Sequence, residues 1–216
     1  MAWRIWAVAP EEWMLRGIYL GHLWKAPVLA AECLDTPRHQ PLDPSCTVGV
    51  YTFAHLEDAL LEAVVLKTFG WRWDRKIDPT KIVLVLGVVE LTGTITEWCE
   101  DRLYAFQSAG QYPVELRAEA ATIQQLVLFE NWLGPCGRDS DRLVNTLSRR
   151  YAPVHVVAPT DAVPDLNRLR ELAVRLQKQG LDWLRIARAV AAKVPAENVH
   201  HLSRLIREQL GVGLDP

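Results

Sequence analysis

The 216-residue chain lacks an apolar run long enough to cross a bilayer: its longest, Ile82 to Val89 in "IVLVLGVV", is less than half the required span. Its four cysteines are too few for the disulfide framework of a small secreted protein, so they are expected as thiols or metal ligands in a reducing compartment. It also lacks a charge excess. With 24 Lys or Arg against 26 Asp or Glu, the net charge of −2 excludes a global attraction to nucleic acid or anionic membrane, and any such contact requires a local patch. There is no glycine-rich phosphate loop, no HExxH pair and no nucleophile elbow, which removes the common enzyme signatures. The opening "MAWRIWAVAP" has one arginine, a very short apolar core and no convincing cleavage site, so a cytoplasmic location is expected rather than secretion.

What is present is enough to fold. Half of the residues are hydrophobic and 23% are charged, a balance that supports a buried core and argues against disorder. The periodicities predict an α+β protein: a small, strongly curved antiparallel or mixed sheet with packed helices over residues 1–158, then a three-helix domain over 165–211. Strands are expected in "MAWRIWAVA", with Trp3, Ile5 and Ala7 alternating against Arg4 and Trp6, and in "APVLAAECL" and "CTVGVYTF". "AHLEDALLEAVVLKTF" has helical spacing with acids near its start. "KIVLVLGVVELTGTITEW" is β-rich, and its Gly87 and Gly93 predict bulges or close backbone approach. "LRAEAATIQQLVLFENWLG" reads as an amphipathic helix ended by Gly134, and "SDRLVNTLSRRY" as another, capped by Ser140 or Asp141. "PVHVVAP" is an edge strand or linker entry, and the prolines of "APTDAVPD" place a domain boundary there. Three helices follow, with Asp165 and Asp182 as caps, Pro195 in a first turn, and Gly180 and Gly211 as stops.

The stretch "CLDTPRHQPLDPSC" puts Cys33, His39 and Cys46 in one proline-stiffened loop. Three nitrogen or sulfur ligands fall one short of a tetrahedral zinc site, so the loop is either part of a zinc centre completed by His22, His55, Cys99 or water, or a rigid turn. Followed by "TVGVYTF" and "VLGVVELTGTI", it resembles a group of uncharacterised actinobacterial and actinophage proteins. In these a Cys-His-Cys loop precedes a Gly-Ile-Tyr-like strand, and a strand of the Gly-Val-x-Leu-x-Gly type follows after a helix. The resemblance covers residues 28–115 and implies a further cysteine at the position of Val48, where this chain departs from it. The order of these elements is also similar to that of small PUA-like barrels, which bind RNA or modified bases.

At the other end, "GLDWLRIARAVAAKVPAENVHHLSRLIREQLG" resembles a homeodomain-like helix-turn-helix through its Gly-x-x-Trp-x-x-Ile-Ala opening. That resemblance implies a last helix presenting Glu197, Asn198, His200, His201 and Arg204 to base edges, with Arg185, Arg188, Lys193 and Arg207 on phosphates. Residues 165–211 carry nine Lys or Arg against five Asp or Glu. "FGWRWDRK" interleaves Trp71 and Trp73 with Arg72, Arg75 and Lys76, a pattern suited to stacking plus phosphate contact, or else a hairpin packing its tryptophans inward. No catalytic residue is assigned, because the adjacent acids Glu11 and Glu12, and Glu100 and Asp101, read as solvated turns. The expected function is non-enzymatic nucleic-acid binding, on duplex DNA, in a regulator or accessory protein of an actinobacterium or its phage. The alternative is a protein-protein adaptor whose terminal helices dock a partner or dimerise.

Overall fold

A computed structural model describes residues 1–8, 13–18, 22–32, 42, 49–69, 82–98, 114–133, 137 and 139–212. The architecture is α+β, with a mixed sheet of seven strands and five α-helices among the described residues. Two long strands organise it. β5 (Val83–Trp98) runs antiparallel to β6 (Glu115–Phe129) along most of their length, and β1 (Ala2–Val8) pairs with the other edge of β5 through Val83 to Val89. The free edge of β6 is occupied in turn by β4 (Val50–Phe53) and β3 (Val28–Ala30), both antiparallel, and by β7 (Val154–Val157), which is parallel. β2 (Arg16–Gly17) and Phe53 of β4 pair with the outer edge of β1. β1 and β6 therefore each pair with both β4 and β5.

Both faces of the sheet are covered, which explains the composition of its strands. On one side Trp3, Ile5 and Ala7 of β1 join Leu84, Leu86 and Val88 of β5 in a core shared with the helices. On the other, Trp6 and Val8 pack with Val83, Val85, Trp24 and Tyr151, under α2 (Ser140–Arg150). The expected alternation of Trp3, Ile5 and Ala7 against Trp6 places them on opposite faces, and both faces are buried. A strand covered on both sides gains from apolar residues at every position, so period-two alternation is lost. Trp6 meets Trp24 edge to face, with ring centroids 5.2 Å apart, and the Arg4 guanidinium sits over both rings.

The largest correction is β6. The alanines, glutamines and leucines of "LRAEAATIQQLVLF" are good helix formers, yet the segment is a strand, with only Glu130–Trp132 forming a 3-10 turn. Local propensity differences amount to a few tenths of a kcal/mol per residue. Ladders to four other strands outweigh them. Trp132 is buried against Phe129, with centroids 4.5 Å apart. At α2, neither Ser140 nor Asp141 occupies the capping position. That is Asp139, whose side chain makes no cap bond.

Gly87 and Gly93 behave as the pattern requires. Gly93 has φ 78° in the irregularity between Thr92 and Ile95. At Gly87 a Cβ would lie 2.6 Å from the Gln125 carbonyl oxygen and 2.9 Å from the Trp6 ring, and backbone of a central strand cannot yield. We expect Gly87→Ala to cost about 2 kcal/mol by overpacking, read as a lower urea midpoint with an unchanged slope. An unaltered midpoint would show that β5 and β6 can separate there.

α1 (Leu56–Phe69) is the axis of the helical layer. Every side chain from Asp58 to Thr68 except Leu61 is buried, because the sheet lies on one side and α3 (Leu166–Lys178), α4 (Trp183–Ala191) and α5 (Ala196–Leu210) pack against it. Helices apolar all round are core helices. Leu169, Ala173, Ile186, Val190, Val199, Leu202 and Ile206 belong to the same core as α1 and β1. Ala162, inside the expected boundary, is itself buried there. The segment 158–165 thus links elements that share one core and does not separate two. Among the described residues no helix is long and apolar enough to cross a membrane.

Candidate nucleic-acid interface

The three terminal helices start and stop where their polar residues dictate. The Asp165 carboxylate accepts from the backbone N–H groups of Asn167 and Arg168 at 3.0 and 3.3 Å, and Asp182 accepts from that of Arg185 at 3.0 Å. Both caps satisfy orphan donors at a helix start. Gly180 and Gly211 take left-handed φ values of 81° and 64°, which end α3 and α5.

α5 is clamped inward. Arg207, expected on phosphate, is only 6% exposed. Its guanidinium pairs with Glu57 of α1 at 3.9 Å, donates to Ser203 Oγ at 3.4 Å and lies 5.7 Å from the Trp3 ring centroid. Ser203 in turn donates to Glu57. The correction has a simple cause: Arg207 follows Val199, Ser203 and Ile206 on the face that meets α1, and its long stem packs there while the head finds a carboxylate. At the far end Gln209 donates to the Val156 carbonyl at 3.1 Å, and Gln125 to the Leu210 carbonyl at 3.3 Å. α5 packs chiefly on α1, and α4 packs on both α3 and α1.

The outward ridge of α5 carries Glu197, His200, Arg204 and Glu208, with Asn198 and His201 half-buried beside it. Arg204 is shared between Glu208 at 3.9 Å and His201 Nδ1 at 3.1 Å. With Arg207 inside, two acids face one arginine on this ridge. The cations lie elsewhere. Residues 165–193 contain seven Lys or Arg and three Asp or Glu, whereas 194–211 contain two of each, so the whole positive excess belongs to α3, α4 and their connections. Arg185, Arg188 and Lys193, all expected at the interface, are exposed, although Arg185 shares Asp182 at 3.4 Å. Arg168, Arg175 and Lys178 of α3 are exposed as well. These three were missed from sequence because the helix-turn-helix resemblance begins after them; counting charge helix by helix would have found them.

Trp71, Arg72, Trp73, Arg75 and Lys76 lie outside the described residues, as do Cys33, His39 and Cys46. Among the described residues no group of three or more His, Cys, Asp or Glu is placed to hold a metal. Comparisons with protein-family models, with curated proteins and with solved structures find no match for this chain.

Proposed function

We propose that this chain is a non-enzymatic nucleic-acid-binding protein, a regulator or accessory factor of an actinobacterium or its phage, which holds duplex DNA through its terminal helices. The observation that carries the reading is the charge asymmetry. A chain of net −2 concentrates four excess positive charges in residues 165–193, most of them on exposed side chains. Such a patch attracts a polyanion that the rest of the surface repels. α3 and α4 supply the phosphate contacts, among them Arg188 and Lys193. α5 offers Asn198, His200, His201 and Arg204 as its polar groups, but its acids disfavour a close approach of its ridge to the backbone. In the same reading the first 158 residues form a small PUA-like barrel, supported by the pairing circuit of β1, β5, β6 and β4, and recognise a second ligand.

Salt dependence tests this. With about three phosphates neutralised, the affinity for a mixed-sequence duplex falls roughly 40-fold between about 50 and about 200 mM salt. A protein that ignores duplex and single strands at low salt, yet elutes as a dimer or captures a protein partner, is the adaptor instead.

A further inference from the structure

We propose that the open groove along the second half of α3 seats the phosphodiester backbone of a nucleic acid, with Arg170, Arg175 and Lys178 as its cationic contacts. The groove has a volume of about 570 Å³ and is lined by Arg170, Glu171, Val174, Arg175, Lys178 and Gln179. It deepens the nucleic-acid reading and rests on it, and it moves the principal contact off the last helix.

The three cations differ in role. Arg170 is half-buried and held in place: its guanidinium donates to the Lys67 carbonyl oxygen at 3.1 Å and to Asn167 Oδ1 at 3.2 Å. It therefore puts a fixed positive charge at the groove wall with little further entropy to lose. Arg175 and Lys178 are exposed and reach outward. From residue 170 to 178 the helix rises about 12 Å, a length over which one strand of a duplex presents roughly three phosphates. Gln179 adds an amide donor of the kind that also bonds phosphate oxygens.

The competing occupant is an acidic protein segment. An amphipathic helix docking in a groove needs apolar seats at successive turns. This lining has one aliphatic side chain, Val174, 49% exposed, one turn from Arg170 on one side and from Lys178 on the other. A single valine suits contact with a sugar between two phosphates better than it suits the apolar face of a helix. The carboxylate of Glu171 opposes either polyanion equally.

The experiment is fluorescence anisotropy on the full chain with a labelled mixed-sequence DNA of about 20 nucleotides, as duplex and as single strand, and with polyglutamate in place of a protein partner. The variants are Arg175→Ala/Lys178→Ala on α3 and Arg204→Ala on α5, all at exposed positions where thermal melts confirm an unchanged fold. The expected result is that the α3 double variant binds at least about 10-fold more weakly, with a salt slope smaller by about two, while Arg204→Ala stays within about two-fold. Wild-type affinity and slope in the double variant overturn the groove and leave the nucleic-acid reading standing. Binding of polyglutamate without binding of either oligonucleotide overturns both.

Discussion

Glu62→Gln raises the melting temperature by on the order of 10 °C at about pH 8.5 and leaves it almost unchanged at about pH 4. The reason lies in α1. Glu62 is 0% exposed, and among the described residues neither carboxyl oxygen has a hydrogen-bond partner. Burial alone pushes its pKa from 4.5 up to about 8, because the charged form loses its hydration without gaining a partner. The sign follows directly. Below the unfolded value both states hold the proton and Glu62 costs nothing in charge. As pH rises above 4.5 the unfolded chain releases the proton and the folded chain keeps it, so stability declines by about 1.4 kcal/mol per pH unit until the folded group ionises near 8. The accumulated loss is on the order of 5 kcal/mol. Glutamine keeps the shape and removes the titration, so the gain over wild type appears only at the alkaline end. Thermal melts of both proteins across this range check it. A difference that does not grow with pH would mean that the carboxylate is ionised and paired in the fold.

Arg207→Ala costs about 3 kcal/mol, against less than about 0.5 kcal/mol for Arg204→Ala three residues earlier. The two arginines look equivalent in sequence and are not. Removing Arg207 leaves Glu57 beside the core without its cation, takes an acceptor's partner from Ser203 and strips the packing over Trp3. Glu57 keeps 28% of its side-chain surface, which holds the cost to the lower end for a broken buried pair. Arg204, 60% exposed, loses only surface contacts, the ion pair with Glu208 and the bond to His201 Nδ1. Urea denaturation separates them, and a double-mutant cycle with Glu57→Gln should return a coupling of about 1 kcal/mol or more. Equal, small losses at both positions would return Arg207 to the surface and to the phosphate contacts expected of it. Reduced DNA affinity in an Arg207 variant reports the packing of α5, so binding experiments belong on Arg175, Lys178 and the other exposed cations.

The contrast between these arginines shows where sequence reasoning reaches its limit. Helix periodicity put the apolar stripes of α3, α4 and α5 in the core, and the caps Asp165 and Asp182 and the stops Gly180 and Gly211 occur as their local chemistry demands. Such signals act over four or five residues. β6 could not be read in this way. Its residues form a helix-like pattern, and it becomes a strand because β5, β4, β3 and β7 each pair with it, partners separated from it by tens of residues. Of the candidate site, the positive segment was legible by composition. The positive excess of residues 165–211 was countable, and Arg204 pairs with His201 and Glu208 on its own helix, while the burial of Arg207 depends on what α1 presents.

The order of residues alone determined the limits and apolar faces of α3, α4 and α5 and the sum of charge in each segment, since all of these arise from neighbours along the chain or from simple addition. Tertiary packing decided that the terminal helices share a core with the sheet, that Glu57 draws Arg207 inward, that Glu62 finds no hydrogen-bond partner among the described residues, and that Arg168, Arg175 and Lys178 of α3 stay exposed. Each of those outcomes is set by which distant surface a side chain meets, and covalent order carries no record of that until the chain has closed upon itself.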